Sequence, residues 1–250
     1  MPTFRNGDVE IAYLDEGEGD PIVLVHGFAS NKEVNWVLPG WTATLRRDGR
    51  RVIALDNRGH GQSAKLYDPA AYHTDIMASD VAALMGHLSL PRADLMGYSL
   101  GARICAVLAA RRPELTRALI LGGAGINLIA TAGLSDGIAE SLEAPTLDDV
   151  TDPLGKRFRA FAEQTRSDLK ALAACLRGSR QRMRVEDIRS IRAPTLIAVG
   201  SKDDITGSPH ELAALMPNAR ALDIPNRDHM LAVGDKVFKE AALEFLQQRP

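Results

Sequence analysis

Five short apolar runs constrain the fold of this chain more than any other feature of its sequence. They occupy residues 22–25, 51–55, 93–96, 118–121 and 195–199. Runs of this length without polar alternation are typical of parallel strands that are covered on both faces. Stretches with helical periodicity lie between most of them, at residues 36–47, 74–88 and 100–111. The alternation predicts a mostly parallel, doubly wound α/β sheet.

Three further strands extend this sheet to a predicted total of eight. Residues 3–6 and 9–15 have the pattern of an N-terminal hairpin, and residues 220–224 have the pattern of a late strand. A last amphipathic helix follows at about residues 236–247. A chain of 250 residues is long enough to bury one large core, so no second full domain is required.

An insertion interrupts this rhythm, because about 70 residues separate the sixth and seventh strands where a crossover usually needs far fewer. We expect a helical cap at residues 125–191, and a core formed by residues 1–124 and 192–250. The apolar residues of the cap recur at helical spacing and are expected mainly to pack. They are Leu134, Ile138, Leu142, Phe158, Phe161, Leu169, Leu172 and Leu176.

The cap also carries arginines for which two interpretations exist. They are Arg177, Arg180, Arg182, Arg184, Arg189 and Arg192. Together they form either an anion-binding surface or a solvated helix face. Because Glu186 and Asp187 interleave with them, the solvated face is favoured.

The charge balance argues against several classes of partner. The formal net charge is −2, with 25% charged and 45% hydrophobic residues, so no long-range field favours nucleic acid or an anionic membrane. The first ten residues carry charge where a signal peptide has an apolar core, and no apolar run approaches the roughly 18 residues of a membrane-spanning helix. We therefore expect a cytoplasmic protein with a small-molecule substrate. Cys105 and Cys175 are expected to be reduced and buried, and no metal or cofactor site is indicated.

The pentapeptide Gly-Tyr-Ser-Leu-Gly at residues 97–101 is the strongest indication of chemistry. It lies between a predicted strand and a predicted helix. A serine on such a tight turn projects its hydroxyl from the sheet edge in a strained backbone conformation. Gly97 and Gly101 are small enough for the two arms of the turn to pass closely. Ser99 is therefore a candidate nucleophile.

A serine hydroxyl needs a base within hydrogen-bond reach, and the base needs an acid that holds it in one tautomer. Asp203 and Asp204 follow the seventh strand, at the sheet edge where Ser99 is expected. Asp203 is the preferred acid and Asp204 its rival, while in a third interpretation both only cap the next helix. His229 follows the eighth strand at the same edge and is the candidate base. The other histidines are interpreted as surface residues: His26, His60, His73, His87 and His210.

An oxyanion that develops during attack by Ser99 needs two backbone N–H donors. Leu100, directly after the serine, supplies one of them. The second is expected from Phe28, because the loop His26-Gly27-Phe28 follows an early strand and Gly27 allows a sharp turn.

Together these motifs resemble the α/β-hydrolase superfamily over almost the whole chain. The similarity rests on residues 26–28, 56–63 (Asp-Asn-Arg-Gly-His-Gly-Gln-Ser), 97–101, 194–203 and 228–229, which occur in the order of the family. Within the superfamily the chain is similar to small bacterial esterases, lactonases and haloperoxidase-like enzymes with a helical cap. The resemblance implies the α/β-hydrolase fold, and residues 58–63 are interpreted as scaffold.

The identity of the nucleophile narrows the expected reaction. Relatives that attack saturated carbon, such as haloalkane dehalogenases and epoxide hydrolases, use an aspartate where this chain has Ser99. Epoxide opening in the superfamily also uses tyrosines of the cap, and the insertion at residues 126–190 contains no Tyr, Trp or His, so both activities are disfavoured. The sequence favours a serine hydrolase that cleaves carboxylic esters or lactones with small to medium, largely apolar acyl groups. The alternatives are a lyase or carbon–carbon bond hydrolase that uses the same residues, and a non-hydrolytic ligand receptor.

Overall fold

The computed structural model of the protein describes residues 1–130 and 134–248. Residues 131–133 of the expected cap and residues 249–250 of the expected core therefore lie outside the described residues. Within the described part, no helix is both long and apolar enough to cross a membrane. Cys105 and Cys175 are both buried and free, as expected.

Eight strands form one sheet with the spatial order β1-β2-β4-β3-β5-β6-β7-β8. Strand β2 pairs antiparallel with β1 and β4, and every other pair is parallel. This confirms the predicted mostly parallel, eight-stranded α/β fold. The strands are β1 (Thr3–Asn6), β2 (Val9–Glu16), β3 (Asp20–Val25), β4 (Arg50–Leu55), β5 (Ala93–Tyr98), β6 (Thr116–Gly122), β7 (Thr195–Gly200) and β8 (Ala219–Ile224).

Helices connect the parallel strands, and a group of them is inserted between β6 and β7, as predicted. The inserted helices are α4 (Asn127–Ala130), α5 (Asp136–Glu143), α6 (Pro153–Gln164), α7 (Leu169–Gly178) and α8 (Val185–Ser190). The remaining helices are α1 (Trp41–Arg47), α2 (Thr74–His87), α3 (Leu100–Arg111), α9 (Pro209–Ala213) and α10 (Lys236–Gln248).

The central strands bury side chains on both faces of the sheet, which explains their continuous apolar runs. In β3, Val23 and Val25 belong to one hydrophobic cluster, whereas Ile22 and Leu24 belong to the cluster on the opposite face. All four side chains are fully buried. Each alternate residue therefore needs to be apolar, because successive residues of a strand point to opposite faces.

One predicted helix is divided in the structure. Instead of a continuous helix over residues 36–47, a single wide turn at Glu33–Val37 is followed by a break and then by α1. Pro39 lies in the break, and Gly40 has a φ of 81°, a left-handed conformation that glycine adopts without strain. The periodicity was correct for packing, but the Pro-Gly pair interrupts the helix.

Candidate active site

Ser99 lies on a sharp turn between β5 and α3. Its φ is 53° and its ψ is −114°, a combination that is strained for any residue with a side chain. A methyl group built at Gly101 would lie 1.9 Å from the carbonyl oxygen of Val25, and one built at Gly97 would lie 2.2 Å from the carbonyl oxygen of Gly101. Both glycines are therefore required by the close approach of backbone on either side of Ser99.

Replacing Gly101 by alanine should lower the free energy of unfolding by about 2–4 kcal/mol, because backbone atoms of β3 must move to admit the methyl group. Gly86 provides the matched control, since a methyl group there meets no atom within 4 Å. Gly86→Ala, in α2, should raise stability by about 0.5–1 kcal/mol. Urea unfolding of both variants measures the difference. Equal stability of the two variants would contradict the close contact at Gly101.

The structure brings Ser99, His229 and Asp203 together in one hydrogen-bonded series. Nε2 of His229 lies 2.9 Å from Oγ of Ser99, and Nδ1 of His229 lies 2.8 Å from Oδ2 of Asp203. Asp203 follows β7, and His229 follows β8. The three residues are far apart in the sequence but meet in space, because parallel strands present their carboxyl ends at one edge of the sheet.

Of the two candidate acids, only Asp203 contacts the histidine. Its second oxygen accepts hydrogen bonds from the backbone N–H groups of Ile205 and Thr206 at 2.9 and 3.2 Å. Burial opposes its ionisation, but the hydrogen bond and charge of His229, with the Ile205 amide, leave the pKa of Asp203 below its ordinary value. The side chain of Asp204 is 71% exposed and lies 4.0 Å from Arg157. Asp203 is thus an ionised carboxylate that is hydrogen-bonded to His229.

Tyr98 also contacts His229, a contact that the sequence pattern does not indicate. Its hydroxyl donates a hydrogen bond of 2.5 Å to the backbone carbonyl of His229, and the two rings lie 5.6 Å apart. Burial, with the nearby charge of Asp203, raises the pKa of Tyr98 well above its ordinary value, so the hydroxyl remains a donor. This bond ties the backbone of His229 to the end of β5. In the sequence, Tyr98 is indistinguishable from an ordinary apolar strand residue.

Tyr98→Phe should lower kcat by about tenfold with little change in KM, because the His229 carbonyl loses its donor and the imidazole is held less well against Ser99. Tyr67→Phe is the matched control, since Tyr67 is exposed and its hydroxyl bonds to the side chain of Asp168. Steady-state kinetics on one ester substrate compares both variants. A kcat within twofold of the wild type for Tyr98→Phe would show that the tyrosine does not position His229.

The interpretation of His26 and His60 as surface residues is wrong, because both side chains are fully buried. Nε2 of His26 accepts the backbone N–H of Asn57 at 3.0 Å, and Nε2 of His60 accepts that of Ala29 at 3.2 Å. Burial lowers the pKa of His60 to about 3. These histidines hold two glycine-containing loops together and have no ring nitrogen available as a base. Short polar loops gave no sequence signal of this burial.

The loop that carries Phe28 passes directly beside Ser99. A methyl group built at Gly27 would lie 3.4 Å from Cβ of Ser99. The N–H of Gly27 donates to Oδ1 of Asn35, and the N–H of Ala29 donates to His60. Within residues 1–130 and 134–248, neither the Phe28 amide nor the Leu100 amide donates to a protein acceptor. Two free N–H donors therefore flank Ser99.

Ser99 lines a cavity of about 310 Å³ between the sheet edge and the inserted helices. Phe28 and Leu100 line it beside the serine, and Leu128, Leu154 and Leu176 line it from the inserted segment. Other apolar residues of that segment, such as Ile138 and Leu172, are fully buried in packing, as expected. Among the described residues, no three His, Cys, Asp or Glu side chains are grouped as they would be around a metal ion.

The cap arginines do not form one solvated face. Arg177 pairs with Glu143 as a solvated ion pair on the cap, as expected, whereas the exposed Arg184 pairs with the buried Asp187. Arg180 differs, because it lines the cavity. The favoured interpretation is therefore wrong for Arg180. Its position past the end of α7 brings it inward, and the helical spacing did not indicate this.

Comparison with known proteins agrees with this architecture. A model of the α/β-hydrolase fold family matches residues 20–187, which is more than half of the chain. The chain therefore belongs to the α/β-hydrolase fold family. This membership supports a hydrolase as the general class of the protein.

The individual proteins that this chain resembles are described with different activities. The acetyltransferase component of an acetoin cleaving system from Pseudomonas putida is 31% identical over 92% of this chain, which spans 62% of that protein's length. A non-heme chloroperoxidase from Kitasatospora aureofaciens is 28% identical, with 98% of each chain covered. A crystal structure of a hydrolase from Pseudomonas aeruginosa has a TM-score of 0.81 at 24% identity and covers 98% of this chain and 97% of its own, so it shares the fold.

Proposed function

We propose that this protein hydrolyses carboxylic esters or lactones through an acyl-enzyme on Ser99. The observation that carries the proposal is the hydrogen-bonded series from Asp203 through His229 to Ser99, which ends in the cavity. Membership of the α/β-hydrolase fold family supports the hydrolase class. A serine with a histidine base suits attack on a carbonyl carbon, because the resulting tetrahedral species collapses to an acyl ester.

The proposed reaction begins when Oγ of Ser99 attacks the carbonyl carbon and Nε2 of His229 takes its proton. Asp203 keeps the imidazole in the required tautomer and stabilises its charged form. The amides of Phe28 and Leu100 donate to the oxyanion, with each donor lowering the barrier by about 3–4 kcal/mol. His229 returns the proton to the leaving alcohol, which in a lactone stays attached to the acyl group. Water, activated by the same histidine, then releases the acid.

The cavity supports acyl groups of small to medium size. Its volume of about 310 Å³ lies at the lower end of the range for ligand sites. We treat residues 125–191 as a cap that sets this size, since Leu128, Leu154 and Leu176 from this segment line the cavity. The apolar wall favours a largely hydrocarbon acyl chain.

The test combines hydrolysis of para-nitrophenyl esters of increasing acyl length with labelling by a fluorophosphonate probe. We expect one label per chain by intact mass, located on Ser99 by peptide mapping. We also expect a loss of turnover once the acyl chain exceeds the cavity. Absence of both labelling and ester hydrolysis would sink the proposal and favour the lyase, carbon–carbon hydrolase or receptor alternatives.

A further inference from the structure

The cavity at Ser99 contains two arginines in a largely apolar wall. Arg103 lies in the first turn of α3, four residues after the serine, and is only 7% exposed. Arg180 follows α7 and lines the same cavity. The reaction proposed above uses neither side chain. Their presence in the acyl-binding space therefore requires a separate explanation.

Arg103 is unusual among the buried arginines of the described chain. Arg50 pairs with Asp48 and Asp94, Arg58 pairs with Asp80, and Arg159 pairs with Glu163. For Arg103, residues 1–130 and 134–248 supply no carboxylate partner. A buried charge without a partner is costly, so a ligand that supplied the opposite charge would be bound favourably at Arg103.

The hydrogen bonds of Arg103 leave part of its guanidinium available. Nη1 donates to the carbonyl oxygens of Leu128 and Gln181 at 3.3 and 2.6 Å. A guanidinium has five N–H donors, and within the described residues Nε and Nη2 of Arg103 have no protein acceptor. Burial lowers the pKa of Arg103 to about 10, so the group is still charged at neutral pH.

Arg180 adds a donor without adding net charge. It forms an ion pair with Asp136, while its buried Nε has no hydrogen-bond partner among the described residues. The two arginines and Asp136 together carry one net positive charge. Asp204 also lines the cavity, but it lies 4.0 Å from Arg157, and these two charges offset each other. The balance matches a single carboxylate better than a doubly charged phosphate.

We infer that the acyl group of the substrate carries a carboxylate, which the guanidinium of Arg103 binds, with Arg180 beside it in the cavity wall, while Ser99 attacks the ester carbonyl. The inference rests on the proposed function and names its substrate class. The backbone of Arg103 lies about one helical turn, or 5.4 Å, beyond that of Ser99, and both residues line one cavity, so a short hydrocarbon chain can link the carboxylate to the reacting carbonyl. The linking chain contacts the apolar wall, and the carboxylate alone contacts Arg103.

The test compares two matched esters. One is the para-nitrophenyl monoester of glutaric acid, and the other is its neutral analogue, in which an isopropyl group replaces the terminal carboxylate. The wild type should favour the glutarate ester in kcat/KM by about tenfold or more, as expected for a charge-assisted hydrogen bond. Arg103→Met should abolish this preference, and Arg103→Lys should keep part of it. Arg112→Met, at the exposed end of the same helix, should keep the wild-type ratio.

Three outcomes separate this inference from the proposed function. If fluorophosphonate labels the wild type but the neutral ester is hydrolysed as well as the glutarate ester, the inference is overturned and the proposed function stands. An unchanged preference in an Arg103→Met variant that still takes the label also overturns the inference. If Arg103→Met does not fold, an unchanged preference in Arg103→Lys overturns the inference instead. If the wild type neither labels nor hydrolyses either ester, the proposed function fails. Calorimetric titration of the wild type with glutarate then decides on the carboxylate site, with no binding overturning it.

Discussion

Ser99→Ala should lower kcat for ester hydrolysis by about 10⁶-fold, down to the background of the assay. The substitution removes only Oγ, the atom that lies 2.9 Å from Nε2 of His229. Without it, no other hydroxyl in the series can form the acyl-enzyme, and the remaining N–H donors of Phe28 and Leu100 can only assist attack by water. The measurement is single-substrate kinetics with a para-nitrophenyl ester, together with intact mass after fluorophosphonate treatment.

Ser190→Ala is the matched control for this result, because the hydroxyl of Ser190 bonds to the Asp187 carbonyl at an exposed helix end. It should retain both the label and the wild-type turnover. Ser99→Ala should unfold at the same urea concentration as the wild type or higher, since alanine removes a polar atom from a partly buried turn. A label on Ser99→Ala, or turnover within a hundredfold of the wild type, would contradict the acyl-enzyme mechanism.

Much of this site could be predicted because strand ends are visible in the sequence. Ser99, Asp203 and His229 each follow an apolar run, and parallel strands bring such positions to one sheet edge. The sequence already favoured Asp203, but excluding Asp204 needed the direction of each carboxylate, which depends on the Ile205 and Thr206 amides that bind Asp203. Neighbouring aspartates in a loop have no such difference in their sequence pattern.

The features of the site that could not be predicted from the sequence depend on packing between distant segments of the chain. His26 and His60 are buried because two loops close over them. The bond between His60 and Ala29, for example, joins residues that are 31 positions apart in the chain. Arg180 turns into the cavity after α7 ends. A signal did exist for Arg103, which is a lone charged residue in the otherwise apolar run Leu-Gly-Ala-Arg-Ile-Cys-Ala. A single arginine in a buried helix beside a nucleophile is a candidate functional residue.

Asp203→Asn should lower kcat by about 10⁴-fold while the protein remains folded. Oδ2 of Asp203 accepts a hydrogen bond from Nδ1–H of His229, which keeps the proton on Nδ1 and leaves Nε2 free to receive the proton of Ser99. An asparagine that keeps the Ile205 and Thr206 amides on its oxygen must present its NH₂ group to Nδ1. The imidazole then carries its proton on Nε2, where it cannot act as a base.

Asp204→Asn is the matched control, one residue away and with a largely exposed side chain. It should lose less than about tenfold in kcat, because no charge next to the imidazole changes. Since the pKa of Asp203 lies below its ordinary value, the carboxylate is ionised throughout the neutral range, and the Asp203→Asn defect should persist across that range. Recovery of Asp203→Asn activity in alkaline solution would fit the tautomer argument, because hydroxide can then replace the missing base. Equal losses in both variants would show that His229 does not depend on Asp203, and would remove the acid from the proposed mechanism.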